Sequence, residues 1–324
     1  MSVFEMGGYL PLELHEGRSY FSHVPQEKIF EVNTGRTAIW CAIESLDVRR
    51  LLVPAYYCPD IISMLQTLDI QLDFYRIGPD FMPINVDPDE DTAIILVDYF
   101  GVVGEKLLSF GKQFKKVIFD FAHSFFTPPV LRDGIMNVYS CRKFLGVCDG
   151  AYVIGNHLKK PTLEQDVSSS RAIHLFKSME LGTNAAYQEN KANEEILGEA
   201  QLKMSAFTQR ILDGIDYERV MEKRRKNYRF LQQQLKDLQL LSLPEDGPVP
   251  YMYPLLLDRD IHKQLVAEHI YVPVLWSQLL EPQWDGSLEQ TYSANIVPLP
   301  LDQRYDESHL EKMVQIIKQI VVNS

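Results

Sequence analysis

Between residues 31 and 156 the chain alternates short, almost uninterrupted apolar runs with stretches of helical pattern, and few folds accommodate that alternation. The apolar runs are LLVPA (51–55), QLDFYRI (71–77), TAIILVDYF (92–100), KVIFDFA (116–122), IMNVYS (135–140) and AYVIG (151–155). Helical patterns occupy 36–46, 59–68 and 104–115 between the earlier runs. A strand that is apolar on both sides must be covered on both sides. The pattern therefore predicts an α/β fold, a mostly parallel sheet flanked by helices. Only ten residues separate the last two runs, too few for a comfortable crossover helix. A local antiparallel pair is expected there.

Downstream the pattern changes. Residues 157–200 are polar, with serines at 168–170, and read as an irregular, mobile loop. From Asp216 the positions Tyr217, Val220, Met221, Tyr228, Leu231, Leu235 and Leu238 step at helical intervals, predicting one long helix ending near 239. LPEDGPVP (243–250) reads as a linker. Beyond it lie YMYPLLL (251–257), a helix near 259–269, YVPVL (271–275), NIVPLPL (295–301) and a final helix over 306–321. The expected division is an N-terminal arm (1–30), a large domain (31–242) and a small C-terminal α+β domain (243–324).

Charge and cysteine usage narrow the function. A net charge of −12 argues against nucleic acid and anionic membrane as partners. Cys41, Cys58, Cys141 and Cys148 form no C-x-x-C pair and no metal-ligand spacing, so reduced thiols and no metal are expected. The N-terminal segment carries acids where a signal peptide needs basic residues, and no apolar run approaches the roughly 20 residues of a membrane span. The expectation is a soluble cytoplasmic protein.

YSCRKFLGVCDGAYV (139–153) offers two chemistries. Gly146-Val147-Cys148-Asp149-Gly150 has the spacing of a nucleophile elbow, which would make Cys148 the centre of a thiol hydrolase. An elbow turns from strand into helix, however, and AYVIG reads as strand. His262, His269 and His309 are available as partners but carry no recognisable context. Lys143 stands where an apolar strand gives way to a turn, and it has company. Asp120 ends KVIFD, near the sheet edge where open α/β folds bind ligands, and His123 follows three residues later. NTGRTAIW (33–40) places Gly35 and Thr37 at a helix start, where free N–H groups can hold a phosphate. An amine, a strand-end carboxylate and an anion cradle in that order match what pyridoxal 5'-phosphate requires. Arg142 beside Lys143 would favour the uncharged, nucleophilic amine. Dinucleotide, nucleoside-triphosphate and zinc-hydrolase motifs are absent from the sequence.

These residues carry a resemblance to the DegT–DnrJ–StrS sugar aminotransferases, of the aspartate-aminotransferase fold type (fold type I), over most of the chain. GRTAIWCAI resembles the family's helix start that holds the cofactor phosphate. VPAYYCPD resembles its VP-[AS]-x-x-aromatic segment, and IFDFAHSF its I-E-D-A-A-Q motif. YSCRKFLGVCDGAYV resembles the serine-to-lysine segment, and YVPVLW and IVPLPLDQRYDESHLEKM the closing pattern. The opening MGGYLPLEL is similar to an N-terminal arm of some relatives.

The resemblance implies that Lys143 is the Schiff-base lysine and Asp120 the partner of the pyridinium nitrogen. Ala122 would lie against one ring face and His123 would bond the ring hydroxyl. Gly35, Arg36, Thr37 and Ser140 would serve the phosphate. The family's stacking aromatic aligns with Cys58, leaving Tyr57 or Tyr56 to cover the ring. QLKM aligns with a stretch that reaches the neighbouring subunit's cofactor, which gives Gln201 and Lys203, the latter a point charge without arginine's fork. The implied activity is amino transfer from an amino acid such as glutamate to a nucleotide-linked keto-sugar, in cell-surface polysaccharide or secondary-metabolite biosynthesis, by a homodimer with a shared site. Retention of Lys143 speaks against the family's dehydratase branch, where histidine takes that place. The changes at Cys58, Gln201 and Lys203 leave open a second class, a non-catalytic or regulatory cofactor-binding protein of the same fold.

Overall fold

The alternation of apolar runs and helices becomes one large mixed sheet in the computed structural model, which describes residues 6, 8–87, 91–245 and 249–323. In chain order the first half contains β1 (Ile29–Val32), α1 (Gly35–Leu46), β2 (Arg50–Pro54), α2 (Pro59–Leu65), β3 (Gln71–Ile77), β4 (Pro83–Ile84), β5 (Thr92–Val97), α3 (Glu105–Gly111), β6 (Lys116–Asp120), β7 (Ile135–Ser140) and β8 (Ala151–Gly155). These strands pair in the order β1-β8-β7-β6-β5-β2-β3-β4. The run from β3 to β7 is parallel, and β5, β7 and β8 are buried along their whole length. The antiparallel pair expected from the short 141–150 connection is present: β8 runs against β7, with Ser140 opposite Ala151. α1 packs across β6, β7 and β8.

The second half contains α4 (Ile173–Leu181), α5 (Tyr187–Leu197), α6 (Ala206–Asp213), α7 (Tyr217–Leu235), β9 (Tyr253–Leu256), α8 (His262–Ala267), α9 (Leu288–Asn295), β10 (Ile296–Leu299) and α10 (Glu307–Asn323). β9 and β10 form a separate antiparallel sheet. α10 packs on α7 and α8. No helix among the described residues is long and apolar enough to cross a membrane.

Several expectations need correction. The run 92–100 stops as a strand at Val97, because the Asp98 carboxylate accepts the N–H of Val103 (2.9 Å) and of Gly104 (3.3 Å) and draws the chain into a turn. Residues 157–168 are irregular, as expected, but 173–181 and 187–197 are the helices α4 and α5. Arg171 grips both carboxylate oxygens of Asp166 at 2.7 Å, and Asn193 donates to the Cys148 carbonyl (2.8 Å). Buried polar bonds thus order the segment leading into α4 and tie α5 to the turn before β8. YVPVL (271–275) forms no regular strand. The chain enters the sheet at Ile29, inside the expected arm, and Phe21 is already core, packed on Tyr139 and Tyr152. Residues 1–5 and 7 of that arm and 246–248 of the linker lie outside the described residues.

The G-V-C-D-G turn has a structural occupation. Asp149 is fully buried and accepts the Ser205 N–H and hydroxyl, each at 2.7 Å, as well as the Thr208 hydroxyl. Ser205 is the N-cap of α6, so this carboxylate fixes the helix start. Removing it leaves the Ser205 N–H and the Thr208 hydroxyl, both buried, without this acceptor. Asp149→Ala should therefore lower stability by roughly 3 kcal/mol or more, and Cys148→Ala by less than half as much. Urea unfolding midpoints of the two variants test this; equal shifts would contradict it.

Candidate active site

Strand order reverses between β5 and β2, and the crevice outside the carboxyl ends of such a sheet is where open α/β folds place ligands. Asp120 is the last residue of β6, and Lys143 lies in the turn directly after β7, the parallel neighbour of β6. The Asp120 carboxylate is buried. Its Oδ2 accepts the Tyr57 hydroxyl at 2.6 Å and its Oδ1 accepts the Ala122 N–H at 2.9 Å. Burial pushes this carboxyl above the usual range, while the Tyr57 and Ala122 bonds and the charge of Lys143 oppose the rise. A carboxylate offers about four lone-pair sites, so these two bonds leave Asp120 capacity for a further donor.

His123 is buried beside it. Its Nδ1 faces the Phe100 N–H at 3.2 Å and must accept that hydrogen, which assigns the ring's own proton to Nε2. Burial, and secondarily the charge of Lys143, holds its pKa well below 6.5. The ring is thus a neutral donor through Nε2.

The third component is the start of α1. Thr34 is the N-cap and accepts the Thr37 N–H (3.1 Å), while the Thr37 hydroxyl donates to Asn33 (2.8 Å). Gly35 has nothing within 4 Å of where a Cβ would stand. A cleft of about 550 Å³ opens at this helix end, lined by Thr34, Arg36, Thr37, Ser63, Asp60 and Gln201 among others. Arg36 forms a 3.8 Å ion pair with the exposed Asp60. Ser140 ends β7 three residues before Lys143, its backbone paired with Ala151. Lys203 is bound through its backbone to Glu164 and Asp166, alongside β1; Gln201, not Lys203, lines the cleft.

The segment after β2 departs from what its motif suggested. Cys58 is the half-buried N-cap of α2; burial pushes its thiol up, against the pull of the Lys143 charge. Tyr57 is buried and spends its hydroxyl on Asp120. Tyr56 is buried against Trp276 (4.5 Å), Tyr99 (5.4 Å) and Tyr292 (6.1 Å). Arg142 does not act as a free charge beside Lys143, because it forms an ion pair with Glu194 of α5. Cys148 is fully buried, its thiol pushed up to about 11 chiefly by burial, and strand β8 follows it. It is packed as a core side chain, not presented as a nucleophile.

Sequence reasoning missed the residues that roof the site. Tyr251 stacks on His123 (4.9 Å between centroids, 28°), and Lys143 Nζ lies 5.0 Å from the centre of the Tyr251 ring. Trp276 lies parallel to His123 at 6.3 Å, and Gln278 donates to the Tyr57 carbonyl at 2.9 Å. All three come from beyond residue 250; Trp276 closes the YVPVLW segment, while no local motif marks Tyr251 or Gln278. Among the described residues no cluster of three or more His, Cys, Asp or Glu could hold a metal ion.

The donor set fits pyridoxal phosphate: an amine at Lys143, a carboxylate with spare capacity at Asp120, a neutral N–H at His123 and an open helix N-terminus beside a cleft. Comparisons with known proteins agree on the fold. No family model matches the chain, and no curated protein matches it in sequence. Solved structures do. A DegT DnrJ EryC1 StrS aminotransferase from Brucella abortus superposes with a TM-score of 0.59 at 16% identity, over 90% of this chain and 85% of that one. DesV of S. venezuelae, in complex with a ketimine intermediate, gives 0.61 at 13% identity over 92% and 86%. DesI in the presence of its TDP-sugar product gives 0.61 at 13% over 92% and 81%. The chain has the aminotransferase fold.

The buried histidine makes a pH-dependent prediction. The unfolded chain binds a proton at His123 near pH 6.5, and the folded protein resists it, so this group's contribution to stability is lost as pH falls below 6.5. His123→Gln should flatten the acid-side loss by up to about 1.4 kcal/mol per pH unit relative to wild type. Urea unfolding of both proteins between pH 5 and 7.5 measures it, and identical slopes would refute it.

Proposed function

We propose that this chain is a pyridoxal phosphate-dependent aminotransferase that passes an amino group from an amino acid such as glutamate to a nucleotide-linked keto-sugar. The observation that carries the reading is the proximity of Lys143 to Asp120 and His123, close enough for its charge to act on both, at the carboxyl edge of the sheet. DesV and DesI, with a ketimine intermediate and a TDP-sugar product, support the reaction class and the acceptor.

Pyridoxal phosphate, when bound, supplies an aldehyde carbon that carries the amino group and a ring that accepts electron density from the substrate Cα. Asp120 would hold the ring nitrogen in its protonated state. His123 Nε2–H would donate to the ring hydroxyl, and a histidine kept neutral by burial can make that bond without adding charge. The N–H groups of Gly35 and Arg36 would face the phosphate, with Ser140 as a further donor, while the Thr37 hydroxyl, whose proton goes to Asn33, would hold the helix start in place. Half-buried Ala122 is small enough to leave one ring face in contact with the chain. Lys143 would hold the cofactor at rest, and once released its Nζ would take the proton from the donor Cα and deliver it to the cofactor carbon that carries the amino group.

The same reading extends to assembly and setting. A homodimer with a shared site is supported by the apolar side chains that α4 exposes, Phe176, Met179 and Leu181. Four free cysteines support a cytoplasmic setting. The separate β9–β10 sheet supports a C-terminal domain beginning near residue 243.

Absorbance of the purified protein tests the proposal. The visible band of a lysine-bound cofactor should be present, and an amino donor such as glutamate should convert it to the pyridoxamine form. Lys143→Ala should cost roughly a hundred- to ten-thousand-fold in turnover or more. Absence of the band would overturn the reading. A band that no donor alters would favour the non-catalytic alternative.

A further inference from the structure

The position where an aromatic ring was expected over the cofactor holds Cys58, yet an aromatic ring does reach Lys143, from a different part of the chain. Tyr251 lies just before β9. Its N–H donates to the Phe100 carbonyl (2.9 Å), and its carbonyl accepts Arg224 Nη1 (3.0 Å). The ring is thereby fixed between His123, on which it stacks at 4.9 Å, and Lys143, whose Nζ stands 5.0 Å from its centroid.

Arg224 builds this arrangement. It is 1% exposed, and every oxygen it bonds is neutral: Gln303 Oε1 (3.1 Å) and the carbonyls of Pro250 (3.1 Å), Tyr251 (3.0 Å) and Phe144 (3.3 Å). Phe144 is the residue after Lys143, and Gln303 Nε2 bonds the same carbonyl at 2.9 Å. One buried guanidinium, on α7, therefore ties the lysine turn to the backbone that carries Tyr251. Breaking such a fan of buried bonds is costly, so the ring and the lysine are held in a fixed relation.

We infer that Tyr251 is a positioning residue for Lys143: its ring face holds the ammonium form of the released lysine and aims it across the site. A lysine that lets go of the cofactor and takes a proton becomes a cation in a half-buried place. A carboxylate partner would hold it too firmly to return; an aromatic face within about 6 Å attracts it weakly and directionally. The inference rests on Lys143 being the cofactor lysine. Its test does not need the cofactor.

In the full-length, cofactor-free protein, the rate at which trinitrobenzenesulfonate labels Lys143 can be followed by mass spectrometry of the lysine peptide. Tyr251→Leu (or Tyr251→Met, if the leucine variant does not fold) should label roughly two- to fivefold faster at neutral pH. The difference should vanish at a pH that deprotonates the amine in both proteins, and Tyr251→Phe should behave as wild type. In the loaded enzyme the leucine variant should lose kcat with little change in the donor KM, and phenylalanine should restore it. Equal labelling of wild type and the leucine variant at neutral pH would overturn the inference. So would a difference that persists at high pH, since that reports mere access. Lack of cofactor binding by the wild type, with the labelling pattern intact, would instead strike the aminotransferase reading and leave the contact standing.

Discussion

A carboxylate buried at the end of a central strand must find partners, and the arrangement of this site follows from where Asp120 finds them. Its position on β6 is set by the parallel pairing with β5 and β7, which are buried on both faces and cannot slip in register without exposing core. Tyr57 and Ala122 supply one hydrogen bond each, and the charge of Lys143 favours the ionised form. That leaves a carboxylate which is desolvated, partly satisfied and still able to accept. Such a group is suited to a cationic N–H and is costly without one.

The rest of the site is assembled from segments distant in sequence. The turn after β7 carries Lys143; its Phe144 carbonyl is bonded by Arg224 of α7 and Gln303 near α10. Further along, Asp149 anchors α6, and the Cys148 carbonyl anchors α5 through Asn193. The same fifteen residues therefore present Lys143 and clamp three helices. Gln278 and Trp276 approach from the C-terminal part, bonding the Tyr57 carbonyl and running parallel to His123. The chain ends thus close over groups that the first half of the sequence places.

How much of this was legible depends on the range of the forces involved. Strand runs such as IMNVYS and AYVIG match β7 and β8 residue for residue, because a strand buried on both faces leaves a continuous apolar record. Asp120 and Lys143 stood out because strand ends and turns mark where a parallel sheet exposes chemistry. α4 and α5 leave little apolar record in the sequence because the contacts that order them are polar: Arg171 on Asp166, Asn193 on the Cys148 carbonyl. The apolar run 92–100 outlasts strand β5 because Asp98 ends the strand through bonds to N–H groups five and six residues on. Tyr251 and Arg224 leave no such record for a further reason. Their contacts span from about 80 to 110 residues of sequence, and nothing in their own neighbourhoods differs from an ordinary aromatic or basic residue.

The account stands or falls on one amine. Borohydride reduction of the cofactor-loaded protein, followed by proteolysis and mass spectrometry, would locate the residue that holds pyridoxal phosphate. The account predicts a single modified peptide, with the cofactor mass on Lys143. Modification at another lysine, or scattered over several surface lysines, would contradict it.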